Sequence, residues 1–159
     1  FQVAMDRFAY MGILDPMVIV GTNGYRHRVN EMAHDPSSET EKICILRNAP
    51  QHGLFNGQVM TVRVLNRDDL GNAARIELES SRRIFCSGEG WGATNLAGID
   101  LSREEVLCDY GYAITAHKAQ GSEWDNVLVV EDWVPKDSET RWRYTAATRA
   151  KKNLIWARG

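Results

Sequence analysis

The sequence predicts an α/β fold: a mostly parallel sheet with helices on both faces, carrying an inserted small antiparallel β-barrel. Two observations carry this expectation. Towards both ends of the chain, short uninterrupted apolar runs alternate with helical stretches, the pattern of strands buried on both faces. Between them, from Asp35 to about Leu107, strand-like runs follow one another with turn residues in between, the spacing of a small barrel. A length of 159 residues suits one domain, or one domain with a smaller one inserted.

Taken in order, Val3 to Met11 has a weak helical pattern, with Val3, Ala4, Phe8 and Met11 apolar, and Gly12 is placed to stop it. Met17-Val18-Ile19-Val20 follows Pro16 as a buried strand. Asn23 offers an N-cap for a helix with Tyr25, Val29, Met32 and Ala33 on one side. The breaker cluster Asp35-Pro36-Ser37-Ser38 changes the texture. Strands are then expected at Ile43 to Leu46, Val59 to Leu65, Ala74 to Leu78 and Arg83 to Cys86. Asn56-Gly57, Asp69 to Asn72 and the glycine-rich Gly88 to Gly92 separate them. A two-sheet reading of the whole chain is the alternative.

The alternating texture returns with Tyr110 to Ile114 as a strand and Thr115 capping a helix that runs towards Gln120. Val127 to Val130 is a second buried strand, Glu139 to Ala150 a helix and Asn153 to Ala157 a final strand. The expected division is thus 1–35 with 106–159 for the parallel-sheet domain, and 36–105 for the insertion. No internal repeat or low-complexity tract is present.

Composition is that of a soluble globular protein, 43% hydrophobic and 25% charged. No apolar run approaches the roughly 20 residues of a membrane span, and no signal peptide precedes the first strand. Cys44, Cys86 and Cys108 are widely spaced and form no C-x-x-C, which argues against a zinc or disulfide framework and for a reducing cytoplasm. A chain beginning at Phe1 fits a trimmed fragment better than an intact gene product. The net charge of −2 argues against coating nucleic acid through bulk charge, but not against a narrow track of amides and a few side chains.

Two segments carry chemistry. Ile114-Thr115-Ala116-His117-Lys118-Ala119-Gln120-Gly121-Ser122-Glu123-Trp124 lies between two expected buried strands, which places its polar residues at the carboxyl edge of a parallel sheet, where such folds bind ligands. Thr115 at a helix start brings a hydroxyl and free amides suited to a phosphate. His117 and Lys118 add donors, Gly121 permits close approach, and Glu123 can accept from a ribose. The bland alternative is a capped helix with a solvated Lys and Glu. In the second segment, Tyr144 to Ile155, Ala146, Ala147 and Ala150 let a helix pack closely on a sheet, and Arg149 lies near its end. Arg149 either answers the helix dipole or reaches a neighbouring nucleotide as an arginine finger.

Together, T-A-H-K-A-Q-G-S-E-W and, about two dozen residues later, Y-T-A-A-T-R-A-K-K-N-L resemble the fifth and sixth motifs of superfamily-one helicases. The H-K-x-Q-G form is similar to the RecD-like branch. Arg47-Asn48 followed by Gly53 to Gln58 resembles the start of the SH3-like barrel inserted in that branch's second motor domain, and Gly24 to Asn30 loosely occupies the place of the fourth motif. The resemblance implies a RecA-like second motor domain with an SH3-like insertion, in a helicase moving 5′ to 3′ on single-stranded DNA. It implies Arg149 and Arg28 (or Arg26, if the register slips) at the nucleotide's phosphate; Gln120, Gly121 and Glu123 on the nucleotide side; and Thr115, His117 and Lys118 on the DNA. ATP and Mg2+ would be held mainly by an N-terminal RecA-like domain, because this chain has no G-x-x-x-x-G-K-[ST]. No metal ligands are expected here, and Glu131-Asp132 reads as an ordinary strand end. The rival function is a non-catalytic DNA- or protein-binding module using Arg47, Asn48, His52, Arg82 and Arg83.

Overall fold

The computed structural model describes residues 5–6, 9–13, 15–93 and 95–158. In chain order the elements are β1 (Met17–Val20), α1 (Asn23–Ala33), β2 (Thr40–Ile45), β3 (Val59–Arg67), β4 (Ala73–Glu77), β5 (Arg83–Cys86), β6 (Glu105–Val106), β7 (Cys108–Tyr110), β8 (Ala113–Thr115), β9 (Trp124–Glu131), α2 (Glu139–Ala147) and β10 (Ala150–Arg158). The chain divides into two compact units, one from 1–31 with 112–159 and the other from 32–111. Among the described residues no helix is long and apolar enough to cross a membrane. Of the helix expected over Val3 to Met11, Val3, Ala4 and Phe8 lie outside the described residues; Met5, Asp6, Ala9 and Tyr10 are helical, with a turn at Gly12.

The first unit is built on a four-stranded sheet in the order β10-β9-β1-β8, every pair parallel. β1 is buried along its whole length, as is Val127–Val130 of β9, which is why both read as uninterrupted apolar runs. Alternate side chains face opposite sides. Val18, Val20, Leu128 and Val130 pack with Val29 of α1. Trp156 lies beside Val129, on the other face, and meets Trp142 of α2 edge-on at 6.0 Å. Among the described residues, α1 therefore packs on one face and α2 on the other.

Several boundaries differ from expectation. Thr22, not Asn23, caps α1, its Oγ1 accepting the Tyr25 N–H at 3.2 Å. The inward side of that helix is Arg26, Val29 and Asn30, while Met32 is exposed. Tyr110 to Ile114 is not one strand: β7 belongs to the second sheet and β8 to the first. At Gly111 the backbone lies so close to Ile43 that a Cβ would meet its carbonyl oxygen at 2.7 Å. Asn30 satisfies the edge of β8, accepting from Ala113 N–H at 2.7 Å and donating to Ala113 O at 3.3 Å.

The second unit contains a six-stranded sheet in the order β6-β5-β4-β3-β2-β7. Its pairs are antiparallel except β5–β6. Ile43, Ile45, Ile76, Ile84 and Val106 form its core. The four strands expected from the sequence all form, but as an open sheet and not a closed barrel. The chain's return through 105–110 supplies both outer strands, a contribution invisible in a stretch with no alternating pattern. Buried Glu41 accepts from His34 Nδ1 at 2.9 Å and Arg67 Nη1 at 3.3 Å.

Candidate functional site

Because its four strands are parallel, the first unit's sheet has one carboxyl edge and one amino edge. At the carboxyl edge the chain leaves β1 through Gly21-Thr22, β8 at Thr115 and β9 through Asp132. The Asp132 carboxylate accepts from the Gly21 amide, the Thr22 hydroxyl and the Thr22 amide, the last at 3.1 Å. Gly21 is required by this approach: a Cβ there would lie 2.5 Å from Asp132 Oδ1 and 2.8 Å from the Trp133 carbonyl oxygen. Asp132 is thus the organiser of the turn that starts α1, a role that strand-end position alone did not reveal.

Thr115 closes the next turn. Its Oγ1 accepts from Lys118 N–H at 3.4 Å and its carbonyl from Ala119 N–H at 3.0 Å. The expected helix towards Gln120 does not form; residues 116–121 are turns. The reason is distance. Thr115 is level with Val20, and Val20 with Val130, so the chain must travel back along six residues of β9 to reach Trp124. That is about 20 Å of extended strand, whereas a helix rises only about 1.5 Å per residue. Gly121, at φ +87°, turns the chain there. Ala116 and Ala119 are buried; His117, Gln120, Gly121 and Glu123 are exposed and Lys118 is half-buried.

The polar residues of this segment therefore do not all lie at the carboxyl edge, as the sequence led us to expect. They run from Thr115 at that edge to Glu123 at the amino edge. Arg149 meets them at the second end. Helix α2 stops at Ala147, so Arg149 sits in the turn before β10 and not within the expected helix to Ala150. Its guanidinium donates to Thr145 O at 3.0 Å, Ser122 O at 3.0 Å and Thr148 Oγ1 at 3.1 Å. Its own carbonyl accepts from Trp124 N–H at 2.9 Å. Of the five guanidinium N–H groups, two are left over by these contacts. Beside it, Lys151 Nζ lies 3.9 Å from Glu123 Oε2 and Lys152 Nζ 2.7 Å from Asp125 Oδ2; the Lys152 hydrogen bond lowers the Asp125 pKa.

Arg28 is exposed on α1, and no contact among the described residues joins it to Arg149. Arg26 is buried, with Nη2 3.0 Å from His27 Nε2. The structure so assembles two groups: Thr115 with Lys118 at one edge, and Ser122, Glu123, Lys151 and Arg149 at the other. Thr22 is absent from the sequence reading, where the threonine three residues before Tyr25 was the available signal, and Asp132, read there as an ordinary strand end, holds the Gly21-Thr22 turn.

Residues 110–156 match the model of the UvrD-like helicase C-terminal domain. An uncharacterised protein of Methanocaldococcus jannaschii is 42% identical over 57 residues, 35% of this chain and 5% of that protein. Among solved structures, Bacteroides Pif1 bound to single-stranded DNA aligns with a TM-score of 0.53 and 16% identity, over 89% of this chain and 40% of that one. Pif1 helicases at forked double-stranded DNA align at 0.56 and 15%, over 89% and 39%. Bacteroides Pif1 with ADP-AlF3 and single-stranded DNA gives 0.55 and 14%, over 88% and 39%. These likenesses establish a shared fold, and the chain spans well under half the length of each of these proteins.

Proposed function

We propose, from the match of residues 110–156 to the model of the UvrD-like helicase C-terminal domain, that this chain is the second RecA-like motor lobe of an ATP-dependent, RecD-like DNA helicase moving 5′ to 3′. The observation that supports the reading is the bond from Arg149 to Ser122 O, which ties this arginine to the 115–124 segment, although at the sheet edge opposite Thr115 and not on the Thr115 edge where the sequence reading put it. Thr115, His117 and Lys118 face single-stranded DNA at the carboxyl edge. Gln120, Gly121 and Glu123 face nucleotide at the amino edge, with Arg149 and Arg28 directed at its phosphates. A segment held at both ends couples closure on an N-terminal RecA-like domain to displacement along the strand. The 36–105 insertion serves in this reading as the branch's SH3-like module.

Two N–H groups on a guanidinium already held by three bonds fit a phosphate oxygen, since little freedom is lost on contact. When bound, ATP with Mg2+ supplies the phosphoryl group whose developing charge such a cation stabilises; the phosphate loop belongs to the N-terminal domain. The test joins that domain to this chain and replaces Arg149 with Ala. DNA-stimulated ATP hydrolysis should fall by about 10³-fold. Undiminished hydrolysis would overturn the assignment.

A further inference from the structure

The parallel sheet of the first unit ends on β10, whose outer side pairs with no other strand among the described residues. From Asn153 to Arg158 its pairing with β9 is regular, and this stretch contains no proline. A row of main-chain N–H and C=O groups left open in this way is a template for a further strand.

A cavity lies on the α2 side of the same strand. Ile155 and Ala157 pack with the core on the α1 side, so the period of two turns Leu154, Trp156 and Arg158 to the other face. Tyr144 and Ala147, three residues apart on α2, share one side of that helix. With Glu131, Arg143, Trp156 and Arg158 they line a space of about 490 Å³. Tyr144 is 71% exposed and Trp156 36%, so two aromatic rings stand partly in solvent there. The Trp156 indole is fixed, edge-on to Trp142 and donating to Glu131 Oε2 at 2.8 Å. Arg143 is paired with both Glu131 and Glu139. Arg158 is exposed and forms no ion pair among the described residues; Glu131, already bonded to Arg143 and Trp156, feels its charge only through space.

We infer that β10 takes up an extended acidic peptide as a fifth strand, with an apolar side chain in the cavity beside Tyr144 and Trp156 and a carboxylate on Arg158. The proposal is independent of the helicase reading. Strand addition draws affinity from main-chain bonds and specificity from pockets for alternate side chains. Trp156 and Arg158 are two residues apart on one face, so the added strand meets them with an apolar and an acidic residue at the same spacing. β10 carries Lys151, Lys152 and Arg158 and no acid. The two lysines already face Glu123 and Asp125, which leaves Arg158 to select the carboxylate. A second copy fits less well: β10 paired antiparallel with itself over Lys152–Arg158 sets Lys152 against Arg158. A nucleic acid has no main-chain row to match the open edge.

The test uses the 159-residue chain and a fluorescein-labelled peptide, Ser-Thr-Glu-Thr-Ile-Thr-Glu-Thr-Ser, which reads alike in either direction. Fluorescence anisotropy should show saturable binding. Arg158→Gln should weaken it at least about fivefold, yet leave unchanged the affinity for the peptide with both glutamates replaced by glutamine, which shows that the variant is folded. Tyr144→Ala should weaken both peptides at least about fivefold. N-methylation at the two central threonines, or at the isoleucine and both glutamates, removes the N–H groups of one side of the strand or the other. One of these two peptides should lose at least about tenfold and the other little, and hydrogen exchange along β10 should slow when the parent peptide binds. No saturable binding would overturn the proposal, as would loss with neither methylated peptide or equal loss with both. It would also fall if Arg158→Gln left the parent peptide's affinity intact, if oligo-dT displaced the peptide from this edge, or if the chain were a dimer that Trp156→Ala dissociates.

Discussion

Arg149 donates to the carbonyl oxygen of Ser122 at 3.0 Å, so the turn before β10 is tied to the segment that began at Thr115 on the opposite edge of the sheet. The same guanidinium also holds Thr145 O and Thr148 Oγ1. Three bonds from one half-buried side chain make it a structural pin as well as a candidate ligand group. Arg149→Lys keeps the charge but cannot reproduce this fork. Urea unfolding of the isolated chain should show a loss of about 2 kcal/mol, given roughly 0.5–1.5 kcal/mol per net hydrogen bond. A loss under about 0.5 kcal/mol, the range of ordinary surface changes, would mean that the pin contributes nothing.

What the sequence disclosed depended on whether the deciding interaction was local. Met17 to Val20 and Val127 to Val130 announced themselves because burial on both faces demands apolar side chains throughout. The run from Ile84 through Cys86 was legible as alternation. The segment 116–121 was misread because capping at Thr115 is local, whereas the need to reach Trp124 is set by the register of β8, β1 and β9. The roles of Asp132, which reads as an ordinary strand end, and of Asn30 are hidden for the same reason: their partners lie 110 and 83 residues away.

Asn30 spans one residue of β8 as a neighbouring strand would, meeting both the N–H and the C=O of Ala113. Asn30→Ala leaves both groups buried without that partner, at about 1–3 kcal/mol each. We expect a loss of roughly 3 kcal/mol in urea unfolding, with faster hydrogen exchange at Ala113. Exchange at Ala113 no faster than in the parent would show that the pairing is dispensable.

Gly21→Ala places a methyl group against Asp132 Oδ1 and the Trp133 carbonyl. The carboxylate can rotate away, but the backbone oxygen cannot. The single substitution should cost about 1–3 kcal/mol, as overpacking does. Asp132→Ala should cost a similar amount through loss of the bonds to Gly21 and Thr22. Since Gly21→Ala already displaces that carboxylate, the double variant should fall short of the sum by at least about 0.5 kcal/mol. Strict additivity in denaturant titrations would show that the two residues do not share one interaction.

Glu131 supplies the pH dependence of the β9–α2–β10 junction. Its Oε1 accepts from Arg143 at 2.5 Å and its Oε2 from Trp156 Nε1 at 2.8 Å. The Arg143 hydrogen bond first, then that of Trp156, lowers its pKa below 4.5. A depressed folded-state pKa means that the contribution to stability is fully present above the unfolded value and is lost as pH falls through the folded one. The junction should therefore weaken only below pH 4.5, and Trp156 fluorescence should change over that interval. Arg143→Gln removes the leading cause, so the Glu131 carboxyl should move up towards 4.5 in a carbon-13 titration, with a shallower acid limb in stability. A parent Glu131 that titrates at or above 4.5 would contradict the hydrogen-bonding role assigned to Arg143.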